Sequence, residues 1–242
     1  MDLSQFIWIV AVVAVSSLAQ SVAGFGFGLL AVPMMSLAVL PHDAVVVATL
    51  IGAVSTTSQA LMDRQSCDWG TARRMSLAAY VGMPFGFVAF VVVSESTMRL
   101  VLGVVVLLAT VVLARGFVAR SASRVLDVAV GWVSGVLNTS TSTNGPPLVF
   151  LLQARGMPAD TFRATLNAIF ALSNVGAISL FAATGHITPD GVVAAMVSLP
   201  VLVASLKLGY LLRPKVDART FRVLVLSLLF VSGASVLSSA FL

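Results

Sequence analysis

Apolar stretches long enough to cross a lipid bilayer occupy most of this chain. A membrane helix needs about 20 consecutive apolar residues, and polar breaks delimit eight apolar stretches: 5–39, 43–62, 75–93, 98–114, 125–153, 163–183, 190–212 and 220–242. Only 10% of the 242 residues are charged, too few for the water-facing surface of a soluble protein. Because helices of this length satisfy their own backbone in lipid, the pattern predicts an all-α, polytopic membrane protein.

Two of the stretches are interrupted near their middles. Residues 5–39 and 125–153 are each too long for one crossing and short for two. The first contains the glycine-rich run 23–28, followed by Pro33, and the second contains the polar run 138–147, which ends in paired prolines. Glycine and proline interrupt helices, so we expect each stretch to form two short helices or a re-entrant hairpin.

The distribution of basic residues indicates how the stretches cross. If each interrupted stretch returns to the side from which it starts, the basic residues divide 13 to 1; if each crosses once, they divide 6 to 8. The thirteen are Arg64, Arg73, Arg74, Arg115, Arg120, Arg124, Arg155, Arg163, Lys207, Arg213, Lys215, Arg219 and Arg222, and Arg99 is left alone. Cytoplasmic loops are enriched in Lys and Arg, which favours the first arrangement and places both termini on the non-cytoplasmic side.

The chain also repeats itself. Matching positions are Gly28 and Gly145, Pro41 and Pro158, Asp43 and Asp160, Thr49 and Thr165, and Pro84 and Pro200. Each half then has three ordinary crossings and one interrupted stretch that adds none or two, so its total is odd and the second half must be inverted. We therefore expect two inverted-topology repeats, 1–117 and 118–242, in one membrane domain. This organisation is typical of secondary transporters, with the site where the interruptions meet; a duplicated scaffold protein is the alternative.

The interruptions supply the candidate binding residues. A broken helix exposes backbone groups that lipid cannot satisfy, and the second interruption adds five hydroxyl residues, 139–143, between two asparagines. Helix N-termini and oriented amides attract negative charge, so the pattern predicts a site for a small oxyanion. The candidate substrate-binding residues are Gln20, Ser21, Gly24, Gly26, Gly28, Asn138, Thr139, Ser140, Thr141, Ser142, Asn144, Gly145, Asn167 and Asn174. Alternatively, the hydroxyls cap the half-helices and bond to their own backbone.

Polar residues in the neighbouring stretches have two interpretations. Residues 55–59, Ser-Thr-Thr-Ser-Gln, match Ser173 and Asn174 by repeat position, and Asn167 shares a helical face with Asn174. These side chains either line the cavity around the interruptions or form hydrogen bonds between helices.

Other functional classes lack the residues that they need. The net charge is +5, but the basic residues form short clusters rather than a continuous face, so no nucleic acid is expected as a partner. One cysteine, Cys67, and two histidines leave no set of metal ligands, and no nucleotide-binding glycine loop is present. We therefore expect no metal and no cofactor. The apolar stretches contain no catalytic constellation, which argues against an enzyme.

The expected partners are the lipid bilayer and a small anionic substrate, and a homo-oligomer is compatible with the sequence. No acidic residue lies in the middle of a stretch, so a coupled proton would travel on a weak-acid substrate or through water near the interruptions. Residues 1–63 contain no Lys or Arg, unlike a secretory signal, and we expect the first stretch to belong to the mature protein.

The two interruptions resemble the signature segments of a known permease family. Residues 20–33, Gln-Ser-Val-Ala-Gly-Phe-Gly-Phe-Gly-Leu-Leu-Ala-Val-Pro, are similar to the first segment of the sulfite exporter TauE/SafE family. Residues 135–148, with the run Asn-Gly-Pro-Pro at 144–147, are similar to the second. The resemblance covers nearly the whole chain, including its two-half organisation. It implies transport, often outward, of sulfite, sulfoacetate or other organosulfonates across the bacterial inner membrane.

The sequence thus favours a secondary transporter that exports a small anion by alternating access. Sulfite or an organosulfonate is the substrate that the resemblance implies. The Thr and Ser residues of the second interruption differ from those of glycine-richer relatives, which leaves the individual substrate open. An anion channel is the nearest alternative, and a membrane-embedded assembly or enzyme subunit is another.

Overall fold

The computed structural model describes residues 1–115, 123–212 and 218–240, and nearly all of these residues are helical. The α-helices of the described chain are α1 (Leu3–Ala23), α2 (Phe27–Met35), α3 (Pro41–Met62), α4 (Trp69–Val92), α5 (Glu95–Arg115), α6 (Arg124–Thr141), α7 (Gly145–Ala154), α8 (Ala159–Ala183), α9 (Pro189–Leu212) and α10 (Ala218–Ser239). A single 3₁₀ turn, Arg64–Ser66, follows α3. The prediction of an all-α fold is confirmed.

Six of the described helices are long and apolar enough to cross a membrane: α1, α3, α4, α5, α8 and α9. Large apolar side chains cover their outer surfaces; on α4, for example, Leu77, Val81 and Phe85 are at least 60% exposed. Such a surface is stable only in lipid. In contrast, α2 and α7 have only 9 and 10 residues, about half a crossing at 1.5 Å per residue. The chain is a multi-pass membrane protein.

Both predicted interruptions are confirmed, and each is shorter than the sequence indicated. Gly24 ends α1 at φ +85°, and Gly26 precedes α2 at φ +101°; only glycine adopts such angles readily. Ser142 ends α6 at φ +53° and is the only non-glycine residue with positive φ in the described chain. Helix α6 continues through Thr141, and Pro33 lies inside α2.

One end of the bundle, called here the terminal end, is formed by residues 1–5, 36–43, 93–97 and 184–190. Gln5 Nε2 donates to the carbonyl of Ala38 at 2.9 Å, which joins the start of α1 to the turn after α2. The first interrupted segment therefore returns to the end from which it starts.

The opposite end, called here the basic end, is formed by residues 63–74, 124–127, 154–163 and 207–212. Asp127 at the start of α6 forms ion pairs with Arg155, just after α7, and with Arg74 of α4. The second interrupted segment thus also returns to its starting end, which is the arrangement that gives the 13-to-1 division of charge. Three of the thirteen basic residues, Arg120, Arg213 and Lys215, lie outside the described residues, and which end is cytoplasmic stays a prediction.

Helices α3 and α8 pack against each other in the centre of the bundle, and α1 packs on α9, α4 on α6 and α5 on α10. If each helix is replaced by its counterpart in the other half (α1 by α6, α4 by α9, α5 by α10, and the reverse), the pair α1–α9 becomes the pair α6–α4. The pair α5–α10 becomes itself. This is the pattern expected of two related halves. The predicted boundary at 117 and 118 lies outside the described residues, and the division into two repeats stays a prediction.

Candidate functional site

The two interruptions contact each other. A Cβ atom built on Gly28 would overlap the backbone carbonyl oxygen of Ser142, so α2 begins directly against the end of α6. A Cβ atom built on Gly145 would lie 3.9 Å from the ring of Phe25, so α7 begins beside the first interruption. Residues 25 and 142, like residues 28 and 145, are 117 positions apart. The two contacts are therefore counterparts in the two halves of the chain.

A cavity of about 30 Å³ lies where the interruptions meet. Gly52 and Phe170, about halfway along α3 and α8, lie in its wall, which places the cavity near the middle of the bundle. Its lining consists of Gln20, Thr56, Ser142, Thr143, Asn144 and Asn174, which are polar, and of Gly26, Phe27, Gly28, Leu29, Ala48, Gly52, Gly145 and Phe170. A cavity of this size holds about two water molecules, or a solute of a few heavy atoms.

The short helices α2 and α7 both begin at this cavity without a side-chain cap. Residues 27–29 open α2 and line the cavity, and the N–H groups of a first helical turn have no partner within the helix. Helix α7 offers fewer donors, because Pro146 and Pro147 have no N–H group. The N–H of Gly145 remains. The first interruption therefore supplies most of the backbone donors.

The second interruption contributes a buried amide instead. Asn144 is 7% exposed and lines the cavity, and its Nδ2 has no hydrogen-bond partner among the described residues. A buried donor without a partner costs about 1–3 kcal/mol. A ligand that accepts a hydrogen bond from Asn144 would recover this free energy.

Half of the predicted binding residues line the cavity: Gln20, Gly26, Gly28, Ser142, Asn144, Gly145 and Asn174. Three others lie elsewhere in the core around the interruptions. Asn138 and Asn167 are 1% and 0% exposed, and their side-chain amides have no partner in the described chain. Gly24 packs against the aliphatic stem of Arg163, near the basic end.

The remaining predicted residues use their hydroxyls to satisfy backbone carbonyls. The bonds run from Ser21 to Leu206 (3.0 Å), from Thr139 to Met83 (2.7 Å), from Ser140 to Val136 (2.7 Å) and from Thr141 to Leu137 (3.0 Å). The last two lie within α6, where they hold its final turn in place, and Thr139 also donates to the carbonyl of Gly135 in the same helix at 3.2 Å. For these three hydroxyls the backbone-bonding alternative describes the structure, whereas Ser142 reaches the cavity.

Sequence reasoning omitted several residues of the lining from the candidate set. Thr143 belongs to the hydroxyl run that drew attention to the second interruption. Thr56 accepts from Asn174 Nδ2 at 3.5 Å, and helical periodicity could have separated it from Thr57 and Ser58, which are exposed on the outer surface of α3. Phe170 carried no signal, because an aromatic residue in an apolar stretch fits lipid contact equally well. Phe27 lies in the glycine-rich run 23–28, but its side chain could equally have faced lipid.

All of the polar groups in the cavity lining are amides, hydroxyls and backbone groups. A cluster of charges lies instead at the basic end. Asp127, 1% exposed, accepts from Arg155 and, at 3.1 Å, from Arg74 Nε, and both arginines donate to Thr71 Oγ1 at 3.1–3.3 Å. This cluster joins the ends of the second interrupted segment to α4.

A helical membrane bundle whose interrupted segments close on a central polar cavity has the architecture that is typical of membrane transporters with broken helices. Comparison with known proteins identifies the family. The model of the sulfite exporter TauE/SafE family matches residues 9–236. A curated relative, the probable sulfite/organosulfonate exporter TauE of Cupriavidus necator, is 24% identical over 229 residues, which cover 91% of this chain and 89% of that protein. No solved structure matches the chain.

Because the family match covers nearly the whole sequence, this chain belongs to the sulfite exporter TauE/SafE family. The resemblance drawn from the two signature segments is confirmed. Those segments, 20–33 and 135–148, are the ones that contain the two interruptions and meet at the cavity.

Proposed function

We propose that this protein exports a small sulfur oxyanion, sulfite or an organosulfonate such as sulfoacetate, across the bacterial inner membrane by alternating access. The observation that carries the proposal is the closure of both interrupted segments on one polar cavity in the middle of the bundle. The name of the C. necator relative, a probable sulfite/organosulfonate exporter, supports the substrate class.

The cavity suits an anion whose oxygens accept hydrogen bonds. The start of a helix carries a partial positive charge of about half a unit, and α2 directs its first N–H groups toward the cavity. The amide of Asn144 and the hydroxyls of Ser142 and Thr143 add donors on the opposite side. Electrostatic attraction is stronger in a protein interior than in water, so neutral donors suffice to hold an anion. A site without a fixed cation also avoids an ion pair that would slow release.

The small volume of the cavity supports a carrier rather than an open pore. At about 30 Å³, the cavity holds a compact group and is closed in part by the contact of Gly28 with Ser142. We propose that separation of the two interruptions at this contact opens the site toward one end of the bundle and then the other. The tail of a longer organosulfonate would occupy the opened side.

The orientation that we propose follows from the basic residues. With the basic end in the cytoplasm, both termini lie on the non-cytoplasmic side. A basic cytoplasmic surface also raises the local concentration of anions, which favours loading from that side and agrees with export.

A counterflow experiment tests this function and separates it from an anion channel. Proteoliposomes that contain the purified protein and are preloaded with unlabelled sulfite should take up labelled sulfite faster than proteoliposomes without internal sulfite. The reason is that the binding site of a carrier returns to the outer side faster when it is loaded than when it is empty. A channel would conduct without this trans-stimulation. Absence of any sulfite or sulfonate flux from protein that is folded and reconstituted would contradict the proposed substrate class.

A further inference from the structure

Behind the cavity, a chain of buried polar side chains runs along α3 and ends at Gln20 of α1. Gln59 Nε2 donates to Ser55 Oγ at 3.3 Å, and Ser55 Oγ donates to Gln20 Oε1 at 2.7 Å. All three residues are at most 2% exposed. We call this hydrogen-bonded chain the glutamine relay. Of its members, Gln20 lines the cavity, and the other two lie behind it.

The donors of the glutamine relay all point toward the cavity. Because Oε1 of Gln20 is occupied by the Ser55 hydroxyl, the side of this amide that remains for the cavity is Nε2, a donor of two hydrogen bonds. The oxygen and nitrogen of an amide have nearly the same shape, so packing alone does not decide which one faces the site. The Ser55 hydroxyl gives its single proton to Oε1 of Gln20 and accepts from Gln59 Nε2 at one of its two lone pairs. This favours the orientation that leaves Nε2 of Gln20 for the cavity. Hydrogen bonds arranged in series also polarise one another.

We infer that Ser55 and Gln59 are positioning residues that turn the N–H side of Gln20 toward the bound oxyanion. An oxyanion only accepts hydrogen bonds, so it is attracted by this side of the amide and repelled by the carbonyl side. The relay thereby favours anions over solutes that donate hydrogen bonds. The inference rests on the proposed function, because it requires an anion in the cavity.

The alternative role of these residues is purely structural: the hydrogen bond from Ser55 to Gln20 would only join α3 to α1. A double-mutant cycle separates the two roles, because a positioning residue acts on binding through Gln20 alone. Ser58 provides a matched control on the same helix. It is exposed, and its hydroxyl bonds to the carbonyl of Val54 at 2.7 Å.

The experiment measures sulfite affinity by calorimetry on the purified full-length chain. Ser55→Ala should weaken binding about three- to tenfold, the worth of one hydrogen bond, and Ser55→Thr, which keeps the hydroxyl, should restore most of it. Gln20→Met should weaken binding at least as much as Ser55→Ala. In the Gln20→Met background, Ser55→Ala should have no further effect. Ser58→Ala should bind as the parent does.

Gln59→Met tests the same relay at its far end and should weaken binding about twofold to fivefold. Normal affinity of Ser55→Ala together with weak binding by Gln20→Met would overturn the inference. Additive losses in the double variant would also overturn it, because Ser55 would then act independently of Gln20. A parent protein that binds no sulfite would instead contradict the proposed function on which the relay rests.

Discussion

Gly26 and Gly28 lie two positions apart in the first interruption, yet the structure requires glycine at each for a different reason. Gly26 has φ +101°, but a Cβ atom there would meet open space. Gly28 has ordinary backbone angles, but a Cβ atom would overlap the carbonyl of Ser142. Conformation therefore requires the first glycine, and contact between the two interruptions requires the second.

Gly28→Ala should accordingly impair sulfite binding far more than Gly26→Ala. The first change pushes the interruptions apart at the cavity, whereas the second adds backbone strain of about 1–2 kcal/mol and leaves the contact intact. Thermal unfolding in detergent and sulfite calorimetry on both variants measure the two effects. Parent-like affinity of folded Gly28→Ala would show that the contact does not shape the site.

Asp43 and Asp160 lie in the first turns of α3 and α8, away from the cavity. The double change to Asn should leave any pH dependence of sulfite flux in place, because neither carboxylate reaches the cavity lining. Each change should cost about 0.3–1 kcal/mol through a weaker interaction with its helix dipole. Flux measured across a pH series checks this. A flattened pH profile at normal protein yield would identify a carboxylate as the proton carrier.

Between helices, glycines set how closely the second interrupted segment approaches its neighbour. A Cβ atom on Gly82 or Gly86 of α4 would overlap the backbone of α6 at Trp132 and Val136. A Cβ atom on Gly131 or Gly135 of α6 would overlap the backbone of α4 at Met75 and Ala79. Both helices thus present small residues four positions apart, a spacing that lets membrane helices pack backbone to backbone. This close packing gives α6 a fixed position from which it presents Ser142 to the cavity.

Gly135→Leu should separate α4 from α6 and lower the free energy of unfolding by about 1–3 kcal/mol. Ala129→Leu, on the exposed side of α6, is the matched control and should have little effect in a detergent or lipid environment. Thermal unfolding monitored by helix content compares the two variants. Equal stability of both would mean that the glycine contact does not hold the helices together.

The charge cluster at the basic end closes the second interrupted segment. Asp127→Ala should destabilise the protein by about 3–5 kcal/mol, because it leaves Arg155, whose side chain is only 11% exposed, without its counter-charge. The double variant Asp127→Ala/Arg155→Ala should lose less than the sum of the single variants. Unfolding midpoints in detergent test this relation. Purely additive losses would show that the two side chains do not act as a pair.

At the scale of the whole molecule, hydropathy predicted five of the six membrane-crossing helices (α3, α4, α5, α8 and α9) and both interruptions, and charge predicted the return of each interrupted segment to its own end. The expectation of two short helices in each interrupted stretch was only half right, because α1 and α6 have 21 and 18 residues and only α2 and α7 are short. The assignment of individual polar residues was less complete, because lipid and protein core are both apolar and most of the long helices have only a weak hydrophobic period to mark their inner side. Phe27 and Phe170 line the cavity while Phe85 faces outward, although the sequence around each is similar in character. Hydroxyls were equally ambiguous, because a Ser or Thr in a helix can bond to its own backbone.

The proposed orientation predicts that Cys67 is modified from the cytoplasmic side. Cys67 lies between the 3₁₀ turn and α4, at the basic end. Burial raises the pKa of its thiol above the ordinary value, and the thiolate is the reactive form, so labelling should be slow at neutral pH and faster in alkaline buffer. In a Cys67→Ser background, His186→Cys should be labelled from the opposite side. The reverse pattern in sided vesicles would contradict the orientation.

The central claim is that the cavity between the interruptions is the anion site, and Asn144→Leu tests it most directly. Its unpartnered Nδ2 costs stability in the empty protein, so the variant should unfold at the same or a higher temperature than the parent. It should nevertheless bind sulfite about five- to a hundredfold more weakly, because about 1–3 kcal/mol of hydrogen bonding to the anion is lost. Calorimetry and thermal unfolding on one preparation measure both. Unchanged sulfite affinity in the stable variant would place the site elsewhere and leave the interruptions with a structural role only.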